Sequence, residues 1–175
     1  MTTPEVRSAT VADAEALGRV HVRTWQVAYR GHFPGEYLDA LNAAARASHW
    51  KGVLAAGEMA VFVSEQDGSV VGFCGVRPST DPDLADAGVG EYTALYVDAA
   101  HWRGGHGTAL VRAAREAAQR AGWKQLVLWV LVSNSVARTF YERHGYVADG
   151  SERTTDQRGF PMHQMRYRLD LAGQG

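Results

Sequence analysis

Residues Glu91–Leu131 read EYTALYVDAAHWRGGHGTALVRAAREAAQRAGWKQLVLWVL, and the order of periods along this stretch decides the fold class. Glu91–Val97 has the aromatic and β-branched character of a strand, Gly105–Ala121 is an Ala-rich helical run, and Gln125–Leu131 is a short continuous apolar segment of strand length. A helix of that length between two strands is a crossover, so the strands are expected to be parallel and the connection right-handed. The turn between strand and helix, His101–Leu110, holds three glycines, two histidines and an arginine. Glycines at a helix N-terminus let backbone N–H groups converge on an anion, helped by the helix dipole. A plain glycine-rich turn that only starts a helix has the same composition.

Outward from this unit, a short strand is expected at Val6–Ala9, followed by a helix capped by Thr10 with Val11, Leu17, Val20, Trp25, Val27 and Ala28 on one side. Pro34 opens a second helix or a pair of helices. Ala60–Glu65 and Val70–Arg77 read as strands joined at Asp67-Gly68, a hairpin turn signal, and Ser79–Gly90 is a polar loop. After the crossover come a helix at Ser135–Arg143, a strand at Tyr146–Glu152 and a closing strand at Met162–Leu171. The expected fold is α/β, with a mixed sheet flanked by helices, an antiparallel N-terminal half and a parallel strand pair carrying the glycine loop. A length of 175 residues with 46% hydrophobic and 21% charged suits one globular domain.

Composition also narrows the partners. A formal net charge of −1 supplies no basic excess for a polyanion, which argues against nucleic acid. Glu5 and Arg7 fall where a signal peptide needs an apolar core, and the longest apolar run, Leu126–Val132, is far too short for a bilayer span, so no membrane association and a cytoplasmic location are expected. Cys74 is the single cysteine and reads as a small core residue. The seven histidines lack metal-ligand spacing, so no metal is expected.

Two nucleotide motifs fail at the glycine loop. A dinucleotide fingerprint starting at Gly105 needs a third glycine where Leu110 stands, and a P-loop needs Lys before Ser or Thr, whereas Thr108 follows Gly107 directly. Taken together and in order, EYTALYV, HWRGGHGTALV and LVLWVLVSNSVARTFYERHGY resemble the GNAT superfamily of acetyl-CoA-dependent N-acetyltransferases. The family's pyrophosphate loop has the pattern Q/R-x-x-G-x-G/A. Gly105 and Gly107 match its glycines, while Trp102 stands at its first position and Arg103 is the nearest basic residue.

The resemblance implies an N-acetyltransferase domain over residues 4–172 with acetyl-CoA as cosubstrate, held by Arg103, Gly104, Gly105, His106, Gly107 and Thr108, by the strand end Leu95, Tyr96 and Val97, and by Asn134 on the pantetheine arm. It also implies that Tyr141 donates a proton to the departing CoA thiolate. Asn134 and Tyr141 are seven residues apart on one helix, about 10 Å along its axis; in an arbitrary helix they would read as a cap and a packed aromatic. A primary alkylamine with a pKa near 10 is only about one part in a thousand neutral at pH 7, so a base is needed. Glu91 is the candidate, placed where some family members carry their base, and a strand-end carboxylate facing solvent is its plainer reading. The oxyanion is expected to meet a backbone N–H near Leu95 or Tyr96.

A small-molecule or peptide amine is the expected acceptor. Trp25, Tyr29, Trp129 and His32 are aromatic candidates for its pocket, though each equally suits a core. A homodimer is compatible with the sequence. The alternative is a catalytically inactive module that senses acyl-CoA, against which the presence of Tyr141 argues. His106, at a loop position where the family usually has an apolar residue, has no role readable from sequence.

Overall fold

The computed structural model describes residues 3–85 and 87–171. The chain runs β1 (Glu5–Ser8), α1 (Ala14–Ala28), α2 (Gly35–Asp39), α3 (Ala43–Ala56), β2 (Ala60–Gln66), β3 (Ser69–Pro78), β4 (Val89–Val97), α4 (His106–Arg120), β5 (Gln125–Leu131), α5 (Ser135–Arg143), β6 (Val147–Gln157) and β7 (Phe160–Asp170). The strands form a seven-stranded mixed sheet in the order β1-β2-β3-β4-β5-β7-β6. β4 and β5 are parallel, with Glu91 opposite Val127, and the pairs β1/β2, β2/β3, β5/β7 and β6/β7 are antiparallel. No helix among the described residues is long and apolar enough to cross a membrane.

By backbone contacts the chain falls into two compact units. The first comprises the chain up to Arg77 together with Thr93–Ala117, and the second Pro78–Tyr92 together with the chain from Ala118. In the first unit a one-turn 3-10 helix at Val11–Asp13 intervenes between Thr10 and α1, and the Asp13 carboxylate accepts the Thr10 N–H at 2.7 Å. That turn leaves Val11 exposed, and Val27 lies on the outer side of α1, so neither joins the buried stripe expected of them. The second helical region is a pair: after α2 the Asn42 side chain caps α3 by accepting the Ala45 N–H at 3.0 Å. A Cβ on Gly18 would lie 2.5 Å from the Ala43 carbonyl oxygen, so only glycine lets the backbones of α1 and α3 approach this closely. The core gathers Leu17, Val20, Trp50, Val61, Val63, Phe73 and Ala94. Asp67 and Gly68 both have positive φ, 51° and 75°, the turn that a two-residue hairpin favours. Cys74 is fully buried and burial pushes its thiol up to about 12.

In the second unit, Asn134 caps α5 by accepting the Ala137 N–H at 3.1 Å, and Gly145 ends it with φ of 84°. Tyr146, Tyr167, Leu126 and Leu128 are buried within it, and the hydroxyls of Tyr92 and Tyr146 meet at 2.9 Å. β6 runs to Gln157, beyond the expected end at Glu152, because Arg158 and Gly159, with φ of 49° and 88°, close a second hairpin onto β7. The stretch Ser151–Gln157 has no apolar alternation to announce a strand; main-chain pairing with β7 holds it.

His21 is a polar member of the first unit's interior. Its Nδ1 accepts the Trp50 indole N–H at 3.1 Å, and burial, reinforced by the charges of Arg46 and His49, lowers its pKa from 6.5 to about 3. An unfolded histidine takes a proton near 6.5, so between these values the folded state binds fewer protons and stability falls as pH drops from about 6.5 toward 3. His21→Gln keeps an acceptor for Trp50 but has no proton to take up. Its melting temperature is expected to fall less steeply than the parent's between pH 7, 5.5 and 4.5; an unchanged slope would assign the acid loss to other groups.

Candidate active site

The glycine loop belongs to the first unit, where side chains tie it to the strand on either side. Leu95, Tyr96 and Val97 end β4, and the Val97 carbonyl accepts the Trp102 indole N–H at 2.7 Å. Trp102, the departure from the family pattern, thus anchors the loop by its indole nitrogen while much of its ring stays exposed. Arg103 has φ of 65° and Gly105 of 84°, left-handed residues on either side of Gly104 that turn the backbone into α4. The Ala109 N–H donates to the Gly105 carbonyl at 3.0 Å, so the N–H groups of Gly105, His106 and Gly107 have no carbonyl one turn back within the helix. Gly107 and Thr108 already lie inside α4. A row of backbone donors at the positive end of a 15-residue helix suits phosphate oxygens.

His106 acquires its account here. It is the first residue of α4 and is buried, with Nδ1 2.8 Å from the Ser64 hydroxyl and Nε2 3.0 Å from the Gln66 side-chain oxygen. Desolvation, with a smaller contribution from His101, lowers its pKa, which favours the neutral ring with Nε2–H donating to Gln66 and Nδ1 accepting from Ser64. The imidazole therefore ties the start of the helix to β2.

The second unit holds Glu91, Asn134 and Tyr141. Glu91 is buried, in contrast to a solvent-facing strand end; the Ser79 hydroxyl donates to its Oε2 at 3.4 Å and the Thr80 hydroxyl to its Oε1 at 3.3 Å. Asn134 spends its side-chain oxygen on the α5 cap, leaving its amide N–H groups for another acceptor. Tyr141 is half-buried, its ring edge-on to Phe140 at 5.4 Å and to Tyr146 at 5.9 Å.

A polar network holds the loop that covers Glu91. Asp81 is buried; its carboxylate accepts the Trp129 indole N–H at 2.9 Å and Arg166 Nη1 at 3.0 Å. Only 5% of the Arg166 side chain is exposed. Its Nε donates to Asp149 at 2.6 Å, Nη1 also to Asp83 at 2.9 Å, and Nη2 to Asp83 at 2.6 Å and Ser151 at 2.9 Å, so all five of its N–H groups are used. The carboxylates, Asp83 foremost, raise the guanidinium's pKa.

Strand register explains why these groups meet. Glu91 is opposite Val127, Trp129 lies two residues further on β5 and so on the same face, Trp129 is opposite Arg166, and Gln164 on that face of β7 is opposite Arg153 of β6. Of the aromatic candidates, Trp129 joins this constellation. Trp25 and Tyr29 sit together in the first unit, rings 4.6 Å apart, with Trp25 buried against Phe33 and His32 edge-on to Tyr29. Ser79, Thr80, Asp81, Arg153 and Arg166 were not singled out by sequence; a signal available there was an arginine flanked by Met165 and Tyr167 inside a strand, a charge placed where a strand between two others has to find partners. Among the described residues no group of three His, Cys, Asp or Glu is placed to hold a metal ion.

A model of the acetyltransferase (GNAT) family matches residues 21–146. The uncharacterized N-acetyltransferase YuaI of Bacillus subtilis is 31% identical over 131 residues, covering 74% of this chain and 72% of that protein. An N-acetyltransferase of Staphylococcus aureus Mu50 has the same fold with a TM-score of 0.75 at 19% identity, over 97% of this chain and 99% of that one. PaiA N-acetyltransferase of Thermoplasma acidophilum, solved in complex with coenzyme A, superposes with a TM-score of 0.73 at 19% identity over the same shares.

Replacing Arg166 by Met keeps much of the volume and leaves Asp81 and Asp149 buried without their cation. Breaking a buried pair in this way costs about 3–5 kcal/mol, equivalent to about 6–20 °C in melting temperature for a chain of this size. Calorimetric melts of parent and variant check this, and a loss under 2 °C would mean that water reaches the carboxylates.

Proposed function

Because the chain belongs to the acetyltransferase (GNAT) family, we propose that it moves an acetyl group from acetyl-CoA to a primary amine by direct attack, in the cytoplasm, through a domain spanning residues 4–172, of which residues 86 and 172 lie outside the described residues. The observation that carries the cosubstrate is the run of N–H donors opened by left-handed Arg103 and Gly105 at the start of α4, which fits a pyrophosphate. Arg103–Thr108 hold the diphosphate, the backbone of Leu95, Tyr96 and Val97 lies along the pantetheine, and Asn134 offers its amide N–H groups to the same arm.

The thioester supplies the acyl group, and the chain manages protons. Glu91 accepts the proton that the acceptor ammonium must lose, its carboxylate oriented by the hydroxyls of Ser79 and Thr80. The amine nitrogen bonds to the acetyl carbon, a backbone N–H near Leu95 or Tyr96 stabilises the charge on the carbonyl oxygen, the C–S bond breaks, and the nitrogen releases its second proton to solvent as it becomes the amide. Tyr141 gives its phenolic proton to the departing sulfur and recovers one from solvent. Trp129 borders the acceptor beside Glu91.

Tyr141→Phe keeps the ring and its contacts with Phe140 and Tyr146 and removes only the proton. It is expected to lower kcat about 10²- to 10⁴-fold with CoA affinity and melting temperature near the parent's, read by thiol release and CoA titration. Full activity would give the proton to water or another donor, and no thiol release from the parent with a broad amine library would favour the acyl-CoA sensor.

A further inference from the structure

Arg153 differs from its neighbour Arg166 in one decisive respect. Arg166 has no donor left over, whereas among the described residues Arg153 makes one hydrogen bond, Nε to the Gln164 side-chain oxygen at 2.9 Å. Its Nη1 is 3.7 Å from Asp81, beyond hydrogen-bond distance, and among the described residues its Nη2 has no hydrogen-bond partner. The guanidinium lies over the Trp129 ring, 4.1 Å from its centroid, with 40% of the side chain exposed. Stacking and the Gln164 bond together fix the plane of the fork, and a fixed fork with unused N–H groups is suited to a carboxylate. Burial pushes the Arg153 pKa down, so the cation is partly stripped of water. The negative groups nearby do not make up the difference: Asp81, Asp83 and Asp149 are drawn in by Arg166, and Asp81 also by Trp129.

Glu91 and Arg153 stand on strands separated by β5 and β7, about 14 Å apart at the backbone for three strand spacings. They share one sheet face with Trp129 between their strands, and the Glu91 charge is felt at Arg153. We propose that the acceptor amine carries a carboxylate a few bonds from its nitrogen, an amino acid, with the amine at Glu91, the carboxylate on the Arg153 fork and the carbon chain against Trp129. The inference rests on the acetyltransferase reading for the amine's place at Glu91, while Arg153 itself is a binding residue that acts whether or not transfer follows.

The test pairs amino acids with the amines that lack only the carboxylate: phenylalanine with phenethylamine, methionine with 3-methylthiopropylamine, and 4-aminobutanoate with propylamine, together with 1,4-diaminobutane. Each is measured by thiol release with acetyl-CoA, and separately by calorimetric titration into CoA-loaded protein. For at least one pair the parent is expected to favour the amino acid about 10- to 150-fold, the range of a charge-assisted hydrogen bond. Arg153→Gln is expected to bring that ratio close to one, and Arg153→Lys, which keeps the charge without the fork, to fall between; melts confirm that each variant folds, and the Lys variant alone carries the comparison if the Gln variant does not. Equal or better use of the plain amine, preference for the diamine, a ratio unmoved by either variant, or no binding of any amino acid overturns the proposal. Arg153-dependent binding of an amino acid without thiol release would instead uphold the site and overturn acetyl transfer.

Discussion

A carboxylate taken out of water needs a partner, and the pairing of Asp81 with Arg166 is the one on which the candidate site rests. Asp81 belongs to the loop before β4, and its carboxylate holds both Arg166 from β7 and the Trp129 indole from β5. Once that carboxylate is pinned, Ser79 and Thr80, one and two residues earlier, are delivered to Glu91. The same contact sets the plane of the Trp129 ring, on which Arg153 stacks. Glu91, the Trp129 ring and the Arg153 guanidinium thus share one anchor. A fully satisfied network of this kind holds geometry more firmly than it adds stability.

The glycine loop is governed by backbone instead of charge. Two left-handed residues, Arg103 and Gly105, aim consecutive N–H groups outward at the start of α4, and a left-handed arginine is a conformation the chain must hold in place. Two tethers do so: the Trp102 indole on the Val97 carbonyl and the neutral His106 ring between Ser64 and Gln66. With the loop fixed by these contacts, a diphosphate would find its donors already arranged, which lessens the ordering cost of binding.

Local signals were legible wherever one segment contained its own reasons. β5 and α5 have the bounds read from the sequence, because an apolar run bounded by turns and an Asn-capped helix followed by a left-handed glycine are decided within a few residues. Asp67-Gly68 was equally local. The extension of β6 was not, since Ser151–Gln157 is polar and pairs only because β7 lies beside it. Family resemblance pointed to Glu91, Asn134 and Tyr141, but Asp81, Arg153 and Arg166 come from positions up to 85 residues apart, and only the register of β4, β5, β7 and β6 shows that they share a face. His106 was opaque for the same reason: its partners lie on β2, about 40 residues away.

In the proposed reaction the buried Glu91 carboxylate takes the acceptor's proton. The measurement that addresses it most directly is the pH dependence of kcat/KM for Glu91→Gln against the parent, by thiol release with a working amine, since Gln preserves size and can still meet the Ser79 and Thr80 hydroxyls. A base at Glu91 predicts a loss of about 10²-fold or more at pH 7 that shrinks toward pH 9, where more of the amine is already neutral, with acetyl-CoA affinity little changed. The same fractional loss at both pH values would contradict it and make Glu91 a structural residue.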